Sequence, residues 1–286
     1  MCTRRFGFLI SRIAALAGAA VIGAAAFVGL PAGPASAEAG CPDIHWIGAA
    51  GSGERVGDLS ADGGMGRVIY KSFQDFSRLV EQDGRTITAE AVEYPATEVP
   101  EDGGILDWVG FIGSVDSGTA ALGRQYQNFV TRCPGSQVVL AGYSQGAMVV
   151  HRNLHALDAA PQLAAALLIA DGDRLPQDPT INLGSVTAVP GSGKGVAQDW
   201  PILARAPAPL PVSMGARTIS VCNLGDAVCD YDPDADDEMN PAAVAVHTGY
   251  ARSGAGDPWT PPLYRLLAGD RIHDGVVDRI QVSAGS

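Results

Sequence analysis

The chain has 286 residues, 47% of them hydrophobic, which is enough to bury one sizeable core. Its 36 Gly and 19 Pro fall short of a low-complexity composition, so collagen, coiled coil and wholesale disorder are excluded. With 19 basic against 31 acidic residues, a net charge of −12, the chain lacks the basic excess that nucleic-acid binding needs, and no nucleic-acid partner is expected.

Arg4, Arg5 and Arg12 precede an apolar run from Ile13 to Leu30, and Ala35-Ser36-Ala37 follows. A basic start, an apolar middle and a small-residue cleavage site predict a secretory signal peptide over residues 1–37. An uncleaved anchor is the second reading, because the run borders on spanning length. The run is mostly Ala and Gly, however, and no basic residues follow it. Ala39-Gly40-Cys41 resembles the end of a lipobox, but Glu38 stands where an aliphatic residue is needed. Residues 38–286 are then expected as a single secreted domain, extracellular or cell-wall associated, and monomeric. Cleavage removes Cys2 and leaves Cys41, Cys133, Cys222 and Cys229. Four cysteines in an exported chain imply two disulfides, with three connectivities open. Cys222 and Cys229 are close enough to staple a tight loop; Cys41 and Cys133 would then tie the mature N-terminus to the region before residue 137.

Short apolar runs then alternate with helical patterns. Asp43–Ala49 reads as a strand. Met65–Val80 places Val68, Ile69, Phe73, Phe76 and Val80 at helical spacing. Thr86–Val92 reads as a strand and Val115–Thr131 as a helix ending before Pro134-Gly135. Gln137–Ala141 is a buried strand, Gly146–Leu157 a helix, and Leu163–Ala170 and Arg217–Cys222 two more strands. Pro241–Tyr250 starts with Pro at a suitable first helical position. This alternation predicts an α/β fold, a mainly parallel central sheet with helices on both faces. Residues 176–215 are rich in Pro, Gly and Ser with little periodicity, which marks a functional or mobile stretch.

The chemistry concentrates at Val138-Val139-Leu140-Ala141-Gly142-Tyr143-Ser144-Gln145-Gly146. Here G-x-S-x-G follows an apolar strand and precedes a helix, the context of a nucleophile elbow. Gly142 and Gly146 leave room for the sharp turn that lifts the Ser144 hydroxyl clear. The backbone N–H of Gln145, at the helix start, is a candidate oxyanion donor. A serine hydroxyl needs a base, and the base an orienting carboxylate, in the chain order Ser, acid, His. His151 and His155 lie on the helix after the elbow and point away from it. They are spaced like metal ligands but lack a third ligand, so a solvated helix face is expected of them. His273 reads as surface. His247 remains, with Asp226 upstream inside the Cys222–Cys229 segment, and the candidate triad is Ser144, Asp226 and His247.

These residues resemble the cutinase family of serine esterases. The resemblance is carried by Gly-Tyr-Ser-Gln-Gly at 142–146, Cys-Asn-Leu-Gly-Asp-Ala-Val-Cys at 222–229 and His-Thr-Gly-Tyr at 247–250. Ala49-Ala50-Gly51-Ser52-Gly53-Glu54 is similar to the family's first oxyanion segment, and Tyr94-Pro95-Ala96 to another of its features. Actinobacterial cutinase-like esterases are the most similar subset. The resemblance implies a single-domain α/β-hydrolase without a true lid. It implies Ser144 as nucleophile, Asp226 as orienter and His247 as general base, with Ser52 and Gln145 as the oxyanion hole. It pairs Cys41 with Cys133 and Cys222 with Cys229. It implies no cofactor, and as substrate a short- to medium-chain acyl ester of lipid or polyester type. The alternatives are a polysaccharide deacetylase such as an acetylxylan esterase and, in another class, a non-catalytic cell-surface binding module.

Two features depart from the fungal pattern. The 176–215 stretch is longer, and 17 residues, many acidic, separate Cys229 from His247. Asp230, Asp232, Asp234 and Asp236 alternate as in calcium loops. Ala235 and Pro241, however, occupy the glycine and bidentate-glutamate positions, which favours a solvated acidic loop and no metal. Gly103–Gly113, with Trp108 and Phe111, is a candidate apolar wall for an acyl chain, or plain core.

Overall fold

A computed structural model describes residues 40–59, 61–100, 105–200, 203, 209–234, 240–251 and 257–267, and the backbone at 271–273 and 276–278. The expected signal peptide, residues 1–37, lies outside the described residues, as do residues 235–239 of the acidic loop.

Six strands form one sheet: β1 (Ile44–Ala49), β2 (Ile87–Ala91), β3 (Gln137–Tyr143), β4 (Leu163–Ile169), β5 (Ile181–Leu183) and β6 (Thr218–Val221). They run parallel in the order β2-β1-β3-β4-β6-β5. The central strands are buried on both faces, which explains why they read as continuous apolar runs. Side chains alternate across the sheet. Val138 and Leu140 of β3 face one core, and Val139, Ala141 and Tyr143 face the other.

Helices cover both faces. On one side lie α1 (Arg67–Gln82) and α6 (Thr260–Leu267), and on the other α2 (Ile105–Arg132) and α3 (Gln145–Leu154). Val68, Ile69, Ser72, Phe76 and Val80 form the buried stripe of α1. Two short helices, α4 (Val212–Gly215) and α5 (Pro241–His247), flank β6 and the acidic loop, and β7 (Arg271–His273) pairs with β8 (Val276–Asp278). Disulfides join Cys41 to Cys133 and Cys222 to Cys229.

Three elements differ from the sequence expectation. Helix α2 begins ten residues earlier than Val115, so Trp108 and Phe111 belong to its first turns. Helix α6 has no counterpart in the periodicity reading because Pro261 and Pro262 disguise it. They stand in its first turn, where an N–H has no helical partner to lose. Asp257 starts that helix, accepting from the N–H groups of Trp259 and Thr260 at 3.1 and 3.2 Å. The 176–215 stretch is not structureless either. It supplies edge strand β5, too short to show a period of two, then tight helical turns at 185–188 and 196–198, then α4.

Sheet order decides where a site can form. From β1 the chain crosses to β2 on one side and β3 on the other, so a crevice opens where β1 and β3 end. Ser52 follows β1 and Ser144 follows β3.

Candidate active site

Ser144 sits between β3 and α3 with φ 54° and ψ −120°, a strained conformation for a non-glycine residue. The flanking glycines make the turn possible. A Cβ at Gly142 would stand 2.2 Å from the Gly146 carbonyl oxygen, and one at Gly146 2.2 Å from that of Ala49. Any other residue at either place would force the strand, turn and helix apart.

His247 ends α5, and its Nε2 lies 3.0 Å from Ser144 Oγ. Its Nδ1 lies 3.0 Å from Asp226 Oδ1 and 3.2 Å from Oδ2. Tyr143 holds His247 in place. Its hydroxyl donates to the His247 carbonyl at 2.8 Å, and its ring stacks on the imidazole with centroids 5.3 Å apart. Asp226 is fully buried (0% exposed). Its Oδ1 accepts from the N–H groups of Val228 and Cys229 at 2.7 and 3.1 Å, and its Oδ2 from the Tyr250 hydroxyl at 2.9 Å. Burial pushes its pKa up. The hydrogen bond and charge of His247 and the two backbone donors outweigh this and hold the carboxyl below the usual carboxylate range. The Cys222–Cys229 ring thus carries a carboxylate whose acceptors are all engaged. Burial pushes the hydroxyls of Tyr143 and Tyr250 upward, so both stay protonated donors.

Ser52 and Gln145 face one cavity with Ser144. The Ser52 hydroxyl is buried and has no protein hydrogen-bond partner among the described residues. Its loop is pinned by Glu54, whose Oε2 accepts from Gly51 N at 2.7 Å while Oε1 accepts from Arg67 N at 3.1 Å, at the start of α1. Burial raises the Glu54 pKa against the pull of these donors. The Gln145 side chain is tied to the scaffold: its Oε1 accepts from Ser114 Oγ at 3.0 Å and its Nε2 donates to the Thr97 carbonyl at 3.1 Å. Its backbone N–H, at the first position of α3, has no helical acceptor.

The cavity is about 400 Å³ and mostly apolar. Trp108 and Phe111 of α2 form one side, so the Gly103–Gly113 run does contribute to the site. Val196, Trp200 and Leu203 of the long 176–215 stretch form another, with Val228, Tyr231 and Val244 beside them.

His151 departs from its expected place. It is not on a solvated face but buried (1% exposed), its Nδ1 2.5 Å from Asp171 Oδ2 and its Nε2 3.7 Å from Asp178 Oδ2. His155 is exposed. Burial alone would lower the His151 pKa. The charge and hydrogen bond of Asp171, with the charges of Asp173 and Asp178, push it up to about 9. The folded chain therefore keeps a proton that an unfolded histidine loses near pH ~6.5. This stabilisation should be complete below that pH and disappear as the pH rises through about 9. Urea unfolding from pH 6 to 10 should show that decline in the wild type and a flatter profile in His151→Gln; equal slopes would refute the assignment. Among the described residues no group of His, Cys, Asp and Glu could hold a metal ion.

The sequence model of the cutinase family matches residues 40–258. The chain belongs to the cutinase family. It is 29% identical over 211 residues to phospholipase Culp4 of Mycobacterium tuberculosis, spanning 74% of this chain and 77% of that one. It is 25% identical over 242 residues to carboxylesterase Culp1 of Mycobacterium bovis, spanning 84% and 88%. Among solved structures, the catalytic core of acetyl xylan esterase from Trichoderma reesei superposes with a TM-score of 0.53 at 25% identity, covering 80% of this chain and 98% of that one. This cutinase-family chain is a carboxylic-ester hydrolase with an α/β-hydrolase fold. Its Glu54 clamp and its Trp200 wall escaped the sequence reading. A carboxylate two residues past Ser52 was a visible signal for the first. The second had none, because Trp200 lies in an aperiodic stretch.

Proposed function

We propose that this chain is a secreted serine esterase acting on short- to medium-chain acyl esters of lipid or polyester type. Ser144 is the nucleophile, His247 the general base, Asp226 its orienter, and Ser52 with the Gln145 N–H the oxyanion hole. The observation that carries this is the unbroken line Ser144–His247–Asp226, with both contacts at 3.0 Å, opening on an apolar cavity of about 400 Å³. Asp226 accepts a hydrogen bond from His247 Nδ1–H, which keeps the imidazole proton on Nδ1 and leaves Nε2 bare toward Ser144. As Ser144 Oγ bonds to the ester carbonyl carbon, its proton moves to Nε2. The carbonyl oxygen gains charge facing Ser52 and the Gln145 N–H. The C–O bond then breaks, the alcohol leaves with the proton from His247, and an acyl-enzyme remains. Water, deprotonated by His247, attacks the acyl carbon; the acyl–Oγ bond breaks, His247 gives the proton to Ser144 Oγ, and the carboxylic acid leaves.

Two disulfides suit an oxidising compartment and support export. The second reading is polysaccharide deacetylation, favoured by the likeness to the acetyl xylan esterase core. An acetyl group would leave most of the cavity unfilled, which weighs against it. A panel of p-nitrophenyl esters from acetate to palmitate, run beside acetylated xylan, tests the choice. Higher kcat/KM on butanoate or hexanoate than on acetate, with little release from xylan, is expected. The reverse order would establish the deacetylase, and no hydrolysis at all would leave only a binding module.

A further inference from the structure

The acyl cavity is walled by a segment that is built in rather than hinged. Residues 193–200 run along the loop that carries Asp226 and are bonded to it repeatedly. Gly193 N donates to Asp230 Oδ1 at 2.6 Å, Tyr231 N to the Lys194 carbonyl at 2.8 Å, and Val196 N to the Val228 carbonyl at 2.8 Å. Asp230 also accepts from Gly225 N at 2.8 Å. The first member of the acidic run is thus a structural tie, its carboxylate accepting from two backbone N–H groups.

Beneath, the same segment is bonded to the chain after β4. Gly195 N donates to the Arg174 carbonyl at 2.9 Å and Ala197 N to the Gly172 carbonyl at 3.0 Å. The two backbones lie so close that a Cβ at Gly195 would stand 2.3 Å from the Gly172 oxygen. Arg152 completes the attachment. It donates through Nη2 to the Leu203 carbonyl at 3.1 Å and through Nε to Asp173 Oδ2 at 2.6 Å.

Trp200 projects from this wall into the cavity, and its Nε1 donates to the Tyr231 hydroxyl at 2.9 Å. Its ring meets Trp108 of α2 with centroids 4.9 Å apart, which is van der Waals contact between indoles. Two walls from distant regions of the chain therefore touch and bound the apolar space that begins at Ser144. We infer that the Trp108–Trp200 contact, locked by Tyr231, sets the upper limit of acyl-chain length in this site. The inference rests on the esterase reading above.

The physical expectation has two limbs. While the chain still finds apolar space, each methylene raises kcat/KM roughly fourfold, the rate equivalent of burying one CH₂. A chain that reaches the indoles must push the touching rings apart and strip the Trp200 N–H of its acceptor, so further methylenes lower kcat/KM by about tenfold or more in sum. Wild-type kcat/KM on p-nitrophenyl esters should therefore rise from acetate, pass a maximum and fall well before palmitate. Trp200→Ala removes the stop. The dodecanoate-to-butanoate ratio of kcat/KM should rise at least about tenfold. Tyr231→Phe, which frees the indole without removing it, should move the ratio the same way by less. Val212→Ala, on an exposed residue outside the cavity, should not move it.

A ratio is insensitive to how much folded enzyme is present, so lost stability cannot mimic the result. If Trp200→Ala fails to fold, the wild-type profile and Tyr231→Phe decide the matter. A wild-type profile still rising at palmitate, or an unchanged ratio in the folded variants, overturns the inference while leaving the esterase reading intact. Butanoate turnover within tenfold of wild type in Ser144→Ala would instead overturn the serine-esterase reading, by removing Ser144 as its nucleophile.

Discussion

Replacing Ser144 with alanine should lower kcat by about 10⁶-fold and leave a folded protein. The size follows from the nucleophile acting as one unit with its base, so that losing either member costs nearly as much as losing both. Residual catalysis of ~10³–10⁴ over water should persist, because the oxyanion donors and the cavity remain. The fold should survive for local reasons. Ser144 is only 5% exposed, but its hydroxyl bonds His247 alone among the described residues, and the strained backbone is imposed by Gly142 and Gly146 rather than by the side chain. Circular dichroism and the urea midpoint should match wild type. A p-nitrophenyl alkylphosphonate should label wild type stoichiometrically and the variant not at all. Turnover within tenfold of wild type would remove Ser144 from its proposed role.

Asp226→Asn should cost about 10⁴-fold in kcat, with a far smaller effect on KM. The carboxylate accepts from His247 Nδ1, which places the imidazole proton on the side away from Ser144. An asparagine can turn its amide N–H toward Nδ1. The imidazole then carries its proton on Nε2, aimed at Ser144, and cannot take another. Oδ1 can still accept from Val228 and Cys229, so the disulfide-closed loop should keep its shape. What is lost besides the tautomer is charge. Burial disfavours the Asp226 carboxylate, and its hydrogen bonds hold it ionised below the usual range. Its stabilisation of the folded chain is therefore complete above the unfolded carboxylate pKa and lost as the pH falls through the folded one. The asparagine variant should show a weaker acid dependence of stability. Full kcat in a folded Asp226→Asn protein would mean that another group orients His247.

The features legible in the sequence are those whose chemistry is local. Gly142, Ser144 and Gly146 announce a strained strand-to-helix turn because only glycine tolerates backbone at 2.2 Å. Asp226 lies in a ring of eight residues closed by Cys222 and Cys229, and the long apolar strands and the α1 stripe state their own burial. Chain order then leaves His247 as the remaining partner. None of this needs a contact across the sheet.

Tertiary structure decided what depends on residues far apart in the chain. His151 is expected on a solvated helix face because the sequence shows no third metal ligand beside it; it is buried because Asp171 and Asp178, which follow β4 in the chain, pack against it and supply charge. Helix α6 owes its place to apolar packing against α1, including a hydrogen bond from Trp259 Nε1 to Ser72 Oγ at 2.9 Å, and not to its own proline-rich start. The wall bearing Trp200 has no period at all. Its shape comes from backbone bonds to the Asp226 loop and to the chain after β4, and from Arg152 beneath it. Periodicity and spacing report how a segment faces its own core. They are silent where a segment is held by the backbone of another, and that is how this chain builds the cavity beside Ser144.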